Sequence, residues 1–243
     1  MSTDKNIKVI ETNDGSSTLF NEELNETYHS SHGALTESEY VFIKAGVEAI
    51  LPTCGNHLKI FEVGFGTGLN AILTIKEALK HPDVQFHYVS VEAFPLKEEI
   101  VAQLNYKSLL DESLHSYFDQ IHQVEWGKDI SILPNFVLHK IDGKLEEFDW
   151  EAEYFDLIYF DAFAPSKQAE MWEKSSFDIC YKVSAPQSML VTYCANGQFK
   201  RTLKSANYII EAYPGPPGKR EMVRGLKGIT PTYPPKLKYK KPE

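Results

Sequence analysis

Phe61-Glu62-Val63-Gly64-Phe65-Gly66-Thr67-Gly68-Leu69-Asn70 is the stretch on which the reading of this 243-residue chain turns. The apolar run over residues 58–63 predicts a buried parallel strand, and residues 69–80 carry apolar side chains at helical spacing. Between them, glycines stand at every second position from Gly64 to Gly68. Glycines in such a turn let the backbone bend sharply and let a ligand reach main-chain N–H groups beside the partly positive end of a helix. The spacing is G-x-G-x-G rather than the dinucleotide G-x-G-x-x-G, because Leu69 follows Gly68. A Walker loop is excluded, since no Lys-Ser or Lys-Thr follows the glycines. The expected occupant is nucleotide-like.

Downstream, residues 86–91 read as a second strand ending at Glu92. A carboxylate there can accept hydrogen bonds from ribose hydroxyls, or it is an ordinary strand-end acid. A third strand, 136–141, runs into Asp142-Gly143, so Asp142 either accepts an adenine amino group or serves the turn. The fourth strand, 155–160, is apolar enough to be central and delivers Asp161 to the sheet's carboxyl end, where open α/β sheets place ligands. A helix with Met171 and Trp172 near its start follows. Strands over 188–194, 208–213 and 220–224, the last antiparallel, complete a set of seven, with 214–218 as a Pro/Gly-rich loop. Upstream, residues 5–21 predict a hairpin around Asn13-Asp14-Gly15. Residues 37–51 predict a helix, with Thr36 as N-cap and Glu39 completing a capping box. His29 and His32 form an H-x-x-H too sparse for a metal centre and read as loop packing.

The net charge is −9, but it is unevenly spread. From Asn196 onward eleven Lys and Arg stand against three Glu, so a basic end follows an acidic body. That end is either a phosphate-binding surface or a solvated tail. No apolar run approaches the length of a membrane span, and the first twenty residues contain no signal-peptide core. A cytoplasmic enzyme is expected. Cys54, Cys180 and Cys194 lie far apart, which predicts reduced structural thiols rather than a zinc site or a disulfide framework.

The E-V-G-F-G-T-G motif resembles the first motif of class I S-adenosylmethionine (SAM) methyltransferases, whose ligand has no pyrophosphate. The seven strands and intervening helices suit that fold: an α/β, Rossmann-like, mostly parallel sheet with an antiparallel last strand. Y-H-S-S-H-G-A-L-T-E-S-E-Y-V-F, E-V-G-F-G-T-G-L-N, V-S-V-E-A-F-P-L, Y-F-D-A-F-A-P-S-K-Q-A-E-M-W and G-K-R-E-M-V-R-G then occur in order between about Tyr28 and Gly225. Together they resemble the tRNA 5-methylaminomethyl-2-thiouridine methyltransferases, found free-standing or as the N-terminal half of a bifunctional protein. The D-A-F-A-P…M-W and K-R-E-M pieces are the most particular to that family. Asn-Pro is common in it where this chain has Gln168 and Ala169.

The resemblance implies methyl transfer from SAM to the primary amine of 5-aminomethyl-(2-thio)uridine at the tRNA wobble position. It implies the methyl-transfer half alone, without the flavin-dependent oxidase, so that a separate enzyme supplies the aminomethyl uridine. Glu62, Gly64, Gly66, Gly68, Glu92 and Asp142 are expected at the cofactor, with Glu37 and Tyr40 closing over its methionine end. Asp161 is expected to orient the amine, unless it caps the following turn. Phe163 and Trp172 would stack on the uridine or else belong to the core. Lys219 and Arg220 would meet anticodon-loop phosphates, with Lys236, Lys238, Tyr239, Lys240 and Lys241 extending the patch. The expected organisation is an N-terminal extension over 1–35, the methyltransferase domain over 36–228 and a basic tail over 229–243. Two alternatives keep the fold: methylation of a small-molecule amine, or a non-catalytic RNA-binding module.

Overall fold

The protein, described over residues 6–233 by a computed structural model, opens with a small antiparallel sheet of β1 (Ile7–Glu11), β2 (Ser17–Asn21) and β3 (Glu26–Thr27). The expected hairpin is present and gains a short third strand. The remaining strands are β4 (His57–Val63), β5 (Gln85–Glu92), β6 (Asp129–Leu133), β7 (Phe136–Asp142), β8 (Phe155–Phe160), β9 (Ser184–Thr192), β10 (Ile209–Pro214) and β11 (Glu221–Lys227). They form one sheet in the order β10-β11-β9-β8-β4-β5-β7-β6. β4 lies near the middle, parallel to β5 on one side and β8 on the other. β11 runs antiparallel to both β9 and β10, as expected for the last strand.

The sheet has eight strands rather than seven. β6 pairs antiparallel with β7 at the sheet edge. It is a five-residue strand in which Ile130 and Ile132 alternate with polar residues before Pro134-Asn135. Such a short, half-solvated edge strand leaves a weak periodic signal between the amphipathic stretch before it and the apolar β7 after it.

Alternation along the strands divides the interior into two layers. Ile60, Tyr88, Leu138, Leu157 and Tyr159 face one way, onto Phe42, Ile72 and Ile121 of the helical segments Glu39–Val47, Leu69–Ala78 and His115–Gln123. Phe61, Val89, Ile158 and Leu190 face the other way, onto Phe177 and Cys180 of helix Lys174–Val183 and Phe199 and Leu203 of helix Gly197–Ser205. The three cysteines are free thiols, two of them buried. Among the described residues no helix is long and apolar enough to cross a membrane.

The first long helix begins at Ala34, earlier than its sequence pattern suggests. It runs through Ala34–Ser38, a π-helical Glu39–Val47 and Glu48–Ile50. Thr36 is not its cap. Gly33 occupies the N-cap position without a side-chain bond, and Glu39 pairs with Lys76 at 2.8 Å instead of closing a capping box. The free N–H groups of the first turn are satisfied by the N-terminal hairpin. Ser16 Oγ accepts from the N–H groups of Ala34 and Leu35 at 3.1 and 3.2 Å. Asp14 Oδ2 accepts from Thr36 N–H at 2.9 Å and from its hydroxyl at 2.8 Å. Burial works to raise the Asp14 carboxyl, but hydrogen bonds from Ser16 and Thr36 outweigh it and hold the group below the usual carboxylate range.

Replacing Asp14 with Ala should therefore destabilise the protein by about 1 to 2 kcal/mol, the typical cost of losing a helix cap. Chemical denaturation at pH 7 should show a lower midpoint with an unchanged slope.

Candidate active site

The carboxyl ends of β4, β5 and β8 open into one cleft, walled by Gly64–Thr67, Val91–Phe94, Gly143–Glu146 and Asp161–Phe163. Tyr28 and His29, from the segment after the small sheet, close one side. Gly64 N–H donates to the Val91 carbonyl at 2.9 Å, and Asp161 N–H donates to the Val63 carbonyl at 3.0 Å. Gly64 has φ +95°, and a Cβ there would lie 2.7 Å from the Asp161 carbonyl oxygen. Only glycine meets both conditions. Gly66 N–H donates to Glu92 Oε2 at 2.9 Å, while Phe94 N–H donates to Glu92 Oε1 at 2.8 Å. Glu92 thus stands against the glycine loop as expected, with burial raising its carboxyl. Gly68 is absent from the cleft wall: at φ +70° it starts helix Leu69–Ala78, and a Cβ there would meet His122 at 2.9 Å. Its role is to admit helix His115–Gln123 against the loop.

Asp161 lines the cleft and does not cap the following turn. Its Oδ2 accepts from Asn70 Nδ2 at 2.8 Å. The same Asn70 nitrogen donates to Glu62 Oε1 at 3.1 Å, and Glu62 Oε2 accepts from the Ser90 hydroxyl at 2.7 Å. Glu62 is fully buried behind the cleft wall, so it supports the site rather than touching a ligand. Burial pushes its carboxyl up to about 8 against the opposing bonds from Ser90 and Asn70. Asp161 is pushed up to about 7 by burial; the Asn70 bond opposes this, nearby Glu37 adds to it and Lys219 opposes it.

Glu37 joins two walls of the site. One oxygen accepts from Ser30 N–H at 3.0 Å, and the other is ion-paired with Lys219. Lys219 also lies 4.7 Å from the centre of the Tyr193 ring. The charge expected at a phosphate is therefore compensated by Glu37, on a half-buried side chain. Arg220 is solvent-exposed. The basic excess is further reduced inside the fold, because Arg224 is buried with Glu211 at 2.6 Å and Lys200 pairs with Glu221. The lysines from Lys236 onward, and Tyr239, lie outside the described residues.

Three further expectations change. Trp172 is core: its ring packs on Phe160 and Phe199 at 5.1 Å each, and its Nε1–H donates to the Phe163 carbonyl at 2.6 Å. It closes the short 3₁₀ turn Ala169–Trp172 instead of starting the next helix. Phe163 does line the cleft, edge-on to Tyr28 at 4.8 Å, and its N–H donates to Gln168 Oε1 at 3.2 Å. Tyr40 points elsewhere, into a separate groove, with its hydroxyl donating to the Pro214 carbonyl at 3.1 Å. The chain bends over that face at Pro214, a contact that helix periodicity does not foretell. Asp142 pairs in register with Glu92 but is exposed, and the residues after it form the cleft wall. His29 is held by Thr18 Oγ1 at 3.0 Å from Nδ1, and burial pushes its ring down to about 4, which keeps it neutral. Asn70 and Tyr28 also line the cleft, and neither carries a sequence signal of its own beyond the motif around it; Asn70 follows Glu62 by eight residues across the turn.

The cleft suits a nucleoside bearing positive charge. Gly64 and Gly66 leave a cradle that side chains would fill, Glu92 is an acceptor beside it, and Val91 and Leu145 offer apolar surface to a base. Asp161 places negative charge at the far side, and among the described wall residues the only Lys or Arg is the exposed Lys144. SAM fits this set better than a phosphate-bearing nucleotide would. Because Glu62 and Asp161 are raised, their stabilising effect is complete below their unfolded values near 4 and is lost as pH climbs to about 8 and about 7. His29 and His122, depressed by burial, act in the opposite sense and finish below their ordinary 6.5. Between about pH 6.5 and 8.5 the wild type should therefore lose on the order of 1 to 2 kcal/mol, and Glu62→Gln should lose less, as read from denaturation midpoints.

Over residues 104–228 the sequence matches the family described as S-adenosyl-L-methionine-dependent methyltransferase. Its curated relatives include the tRNA 5-methylaminomethyl-2-thiouridine biosynthesis bifunctional protein MnmC of Campylobacter hominis. The two are 31% identical over 212 residues, covering 85% of this chain and 31% of that protein. The protein of the same name from Leptospira interrogans is 34% identical over 220 residues, covering 86% of this chain and 33% of the relative. The chain spans about a third of the length of these relatives. Among solved structures, MNMC2 from Aquifex aeolicus gives a TM-score of 0.77 at 22% identity, covering 94% of this chain and 72% of that one. Spermidine synthase from Thermotoga maritima gives 0.58 at 17% identity, covering 91% and 68%. These likenesses bear out the Rossmann-like class I methyltransferase fold expected from the sequence. The chain belongs to the S-adenosyl-L-methionine-dependent methyltransferase family.

Proposed function

We propose that this chain methylates the primary amine of 5-aminomethyl-(2-thio)uridine at the tRNA wobble position, giving 5-methylaminomethyl-(2-thio)uridine. The observation that carries the reading is Asp161, a half-buried carboxylate just past the end of the central strand β8, facing the same cleft as the glycine loop and Glu92. The curated relatives, named for 5-methylaminomethyl-2-thiouridine biosynthesis in tRNA, supply the substrate class. The enzyme acts in the cytoplasm on tRNA whose aminomethyl group is already exposed.

When bound, SAM supplies an electrophilic methyl carbon on its sulfonium sulfur. The residues that would hold it are Gly64 and Gly66, with Glu92 at the ribose and the wall from Gly143 to Leu145 at the base. Glu62 acts from behind the wall. An ammonium has no lone pair, so the substrate must present a neutral amine. An ordinary Asp is too weak a base to help, but burial brings Asp161 up to about 7, close to the range of a general base at neutral pH. Asp161 therefore both aims the amine and takes its proton. Holding the partners in line can lower the barrier by about 7 to 11 kcal/mol at best, which makes positioning the larger part of catalysis. Phe163, edge-on to Tyr28, offers the uridine an aromatic face at the cleft wall. Lys219 holds Glu37, and among the described residues after Asn196 the exposed Arg201, Lys204 and Arg220 are open to RNA phosphates.

Purified protein given labelled SAM and tRNA bearing 5-aminomethyl uridine should yield labelled 5-methylaminomethyl uridine, and unmodified tRNA should yield none. Asp161→Asn should reduce turnover on the order of 100-fold or more while leaving SAM bound. Wild-type turnover should fall as the pH drops through about 7, where Asp161 protonates. Methylation of a small amine but not of tRNA would overturn the reading.

A further inference from the structure

We propose that Asn70 is the positioning residue of this site, aiming the Asp161 carboxylate at the substrate amine by tying it to the buried Glu62. The inference rests on the catalytic reading of Asp161 given above.

Asn70 lies in the first turn of helix Leu69–Ala78, two residues beyond Gly68, and is 3% exposed. Its amide nitrogen has two hydrogens, one for Glu62 Oε1 at 3.1 Å and one for Asp161 Oδ2 at 2.8 Å. Both partners are carboxyl groups. A flipped amide would set Oδ1 against Asp161 Oδ2, which in the charged form has no hydrogen to donate, so the working form of Asp161 chooses the orientation. The cost appears at the other end of the amide, where Oδ1 is buried with no hydrogen-bond partner. A side chain needed only for packing would not require an amide here, since an apolar residue of similar size would avoid that orphan.

The anchor beneath Asn70 is rigid. Glu62 is 0% exposed on β4 and is fixed by Ser90 of β5 at 2.7 Å. The chain of bonds thus runs from β5 through β4 and the helix to Asp161 at the end of β8. Asn70 occupies Oδ2 of Asp161, which leaves Oδ1 as the oxygen available to the cleft. One carboxylate oxygen is held and the other serves the substrate, so the direction in which Asp161 accepts is set before substrate arrives. The Asn70 bond also stabilises the charged form of Asp161, against burial and Glu37.

The test compares Asn70→Ala, Glu62→Ala and Glu62→Gln with the wild type by three measurements. These are kcat and KM for aminomethyl tRNA, SAM affinity by calorimetry, and the ¹³C NMR titration of the Asp161 carboxyl in the protein without ligand, assigned with Asp161→Asn. Asn70→Ala should lower kcat by about tenfold or more, as expected for a misaimed group, while SAM affinity is kept. Its Asp161 titration should move upward by roughly half a pH unit or more, because a donor to the charged form is gone. Glu62→Ala should lower kcat similarly, and Glu62→Gln, which still offers Asn70 an acceptor, should restore most of that loss. If thermal melting shows that Asn70→Ala is unfolded, Asn70→Ser carries the same expectations. An unchanged Asp161 titration, or loss of SAM affinity in step with kcat, overturns the proposal. Absence of tRNA methylation by the wild type would overturn the functional reading instead, and the NMR titration would still decide whether Asn70 governs Asp161.

Discussion

The carboxyl ends of β4 and β8 approach so closely that the residue following β4 can have no side chain: a Cβ on Gly64 would stand 2.7 Å from the Asp161 carbonyl oxygen. The backbone bond from Asp161 N–H to Val63 and the one from Gly64 N–H to Val91 bind three central strands into a single rim. Everything in the site is measured from that rim. The glycine loop turns away from it toward the helix, Glu92 reaches back to Gly66 N–H, and Asp161 is presented beside the loop rather than behind it. A cleft built this way is rigid on its strand side, which suits a reaction that depends on alignment.

The same compactness concentrates negative charge. Glu62, Asp161 and Glu37 lie close enough for their charges to interact, and two of the three are raised by burial. The fold offsets this with few groups: an amide shared between Glu62 and Asp161, a hydroxyl on Glu62, and one lysine on Glu37. A carboxyl that titrates near neutrality follows from this burial, and it turns an otherwise feeble base into a useful one. Lys219 serves this balance from the edge of the site, its half-buried side chain reaching back from a Pro/Gly-rich loop to Glu37.

The N-terminal segment is part of this arrangement rather than an appendage. Asp14 and Ser16 satisfy the first turn of the helix that carries Glu37, and Tyr28 and His29 from the same segment close the cleft. Much of the framework was legible beforehand: the strand–turn–helix around Gly64, the central character of β8, and the strand-end acids Glu92 and Asp161. Other side chains were placed by contacts that no short stretch of sequence shows. Trp172 looked equally suited to stacking and to the core, and its neighbours Phe160 and Phe199 come from segments far apart in sequence. Tyr40 shares a helix with Glu37, yet its hydroxyl is captured by a carbonyl 174 residues away. Thr36 has the composition of a cap, but the donors it was to satisfy are met from another sheet.

By itself, the sequence determined the periodic features of this protein, because burial on one or both faces of a strand or helix must repeat at the pitch of the backbone. It also determined the glycine turn and the acids at strand ends, which follow from local sterics and from where strands stop. Only the tertiary structure decided which side chains meet. Asn70 and Asp161 are 91 residues apart, and Lys219 and Glu37 are 182 apart. Such pairings are set by how whole elements pack and by the need to compensate each buried charge, and neither leaves a pattern within a short stretch of chain.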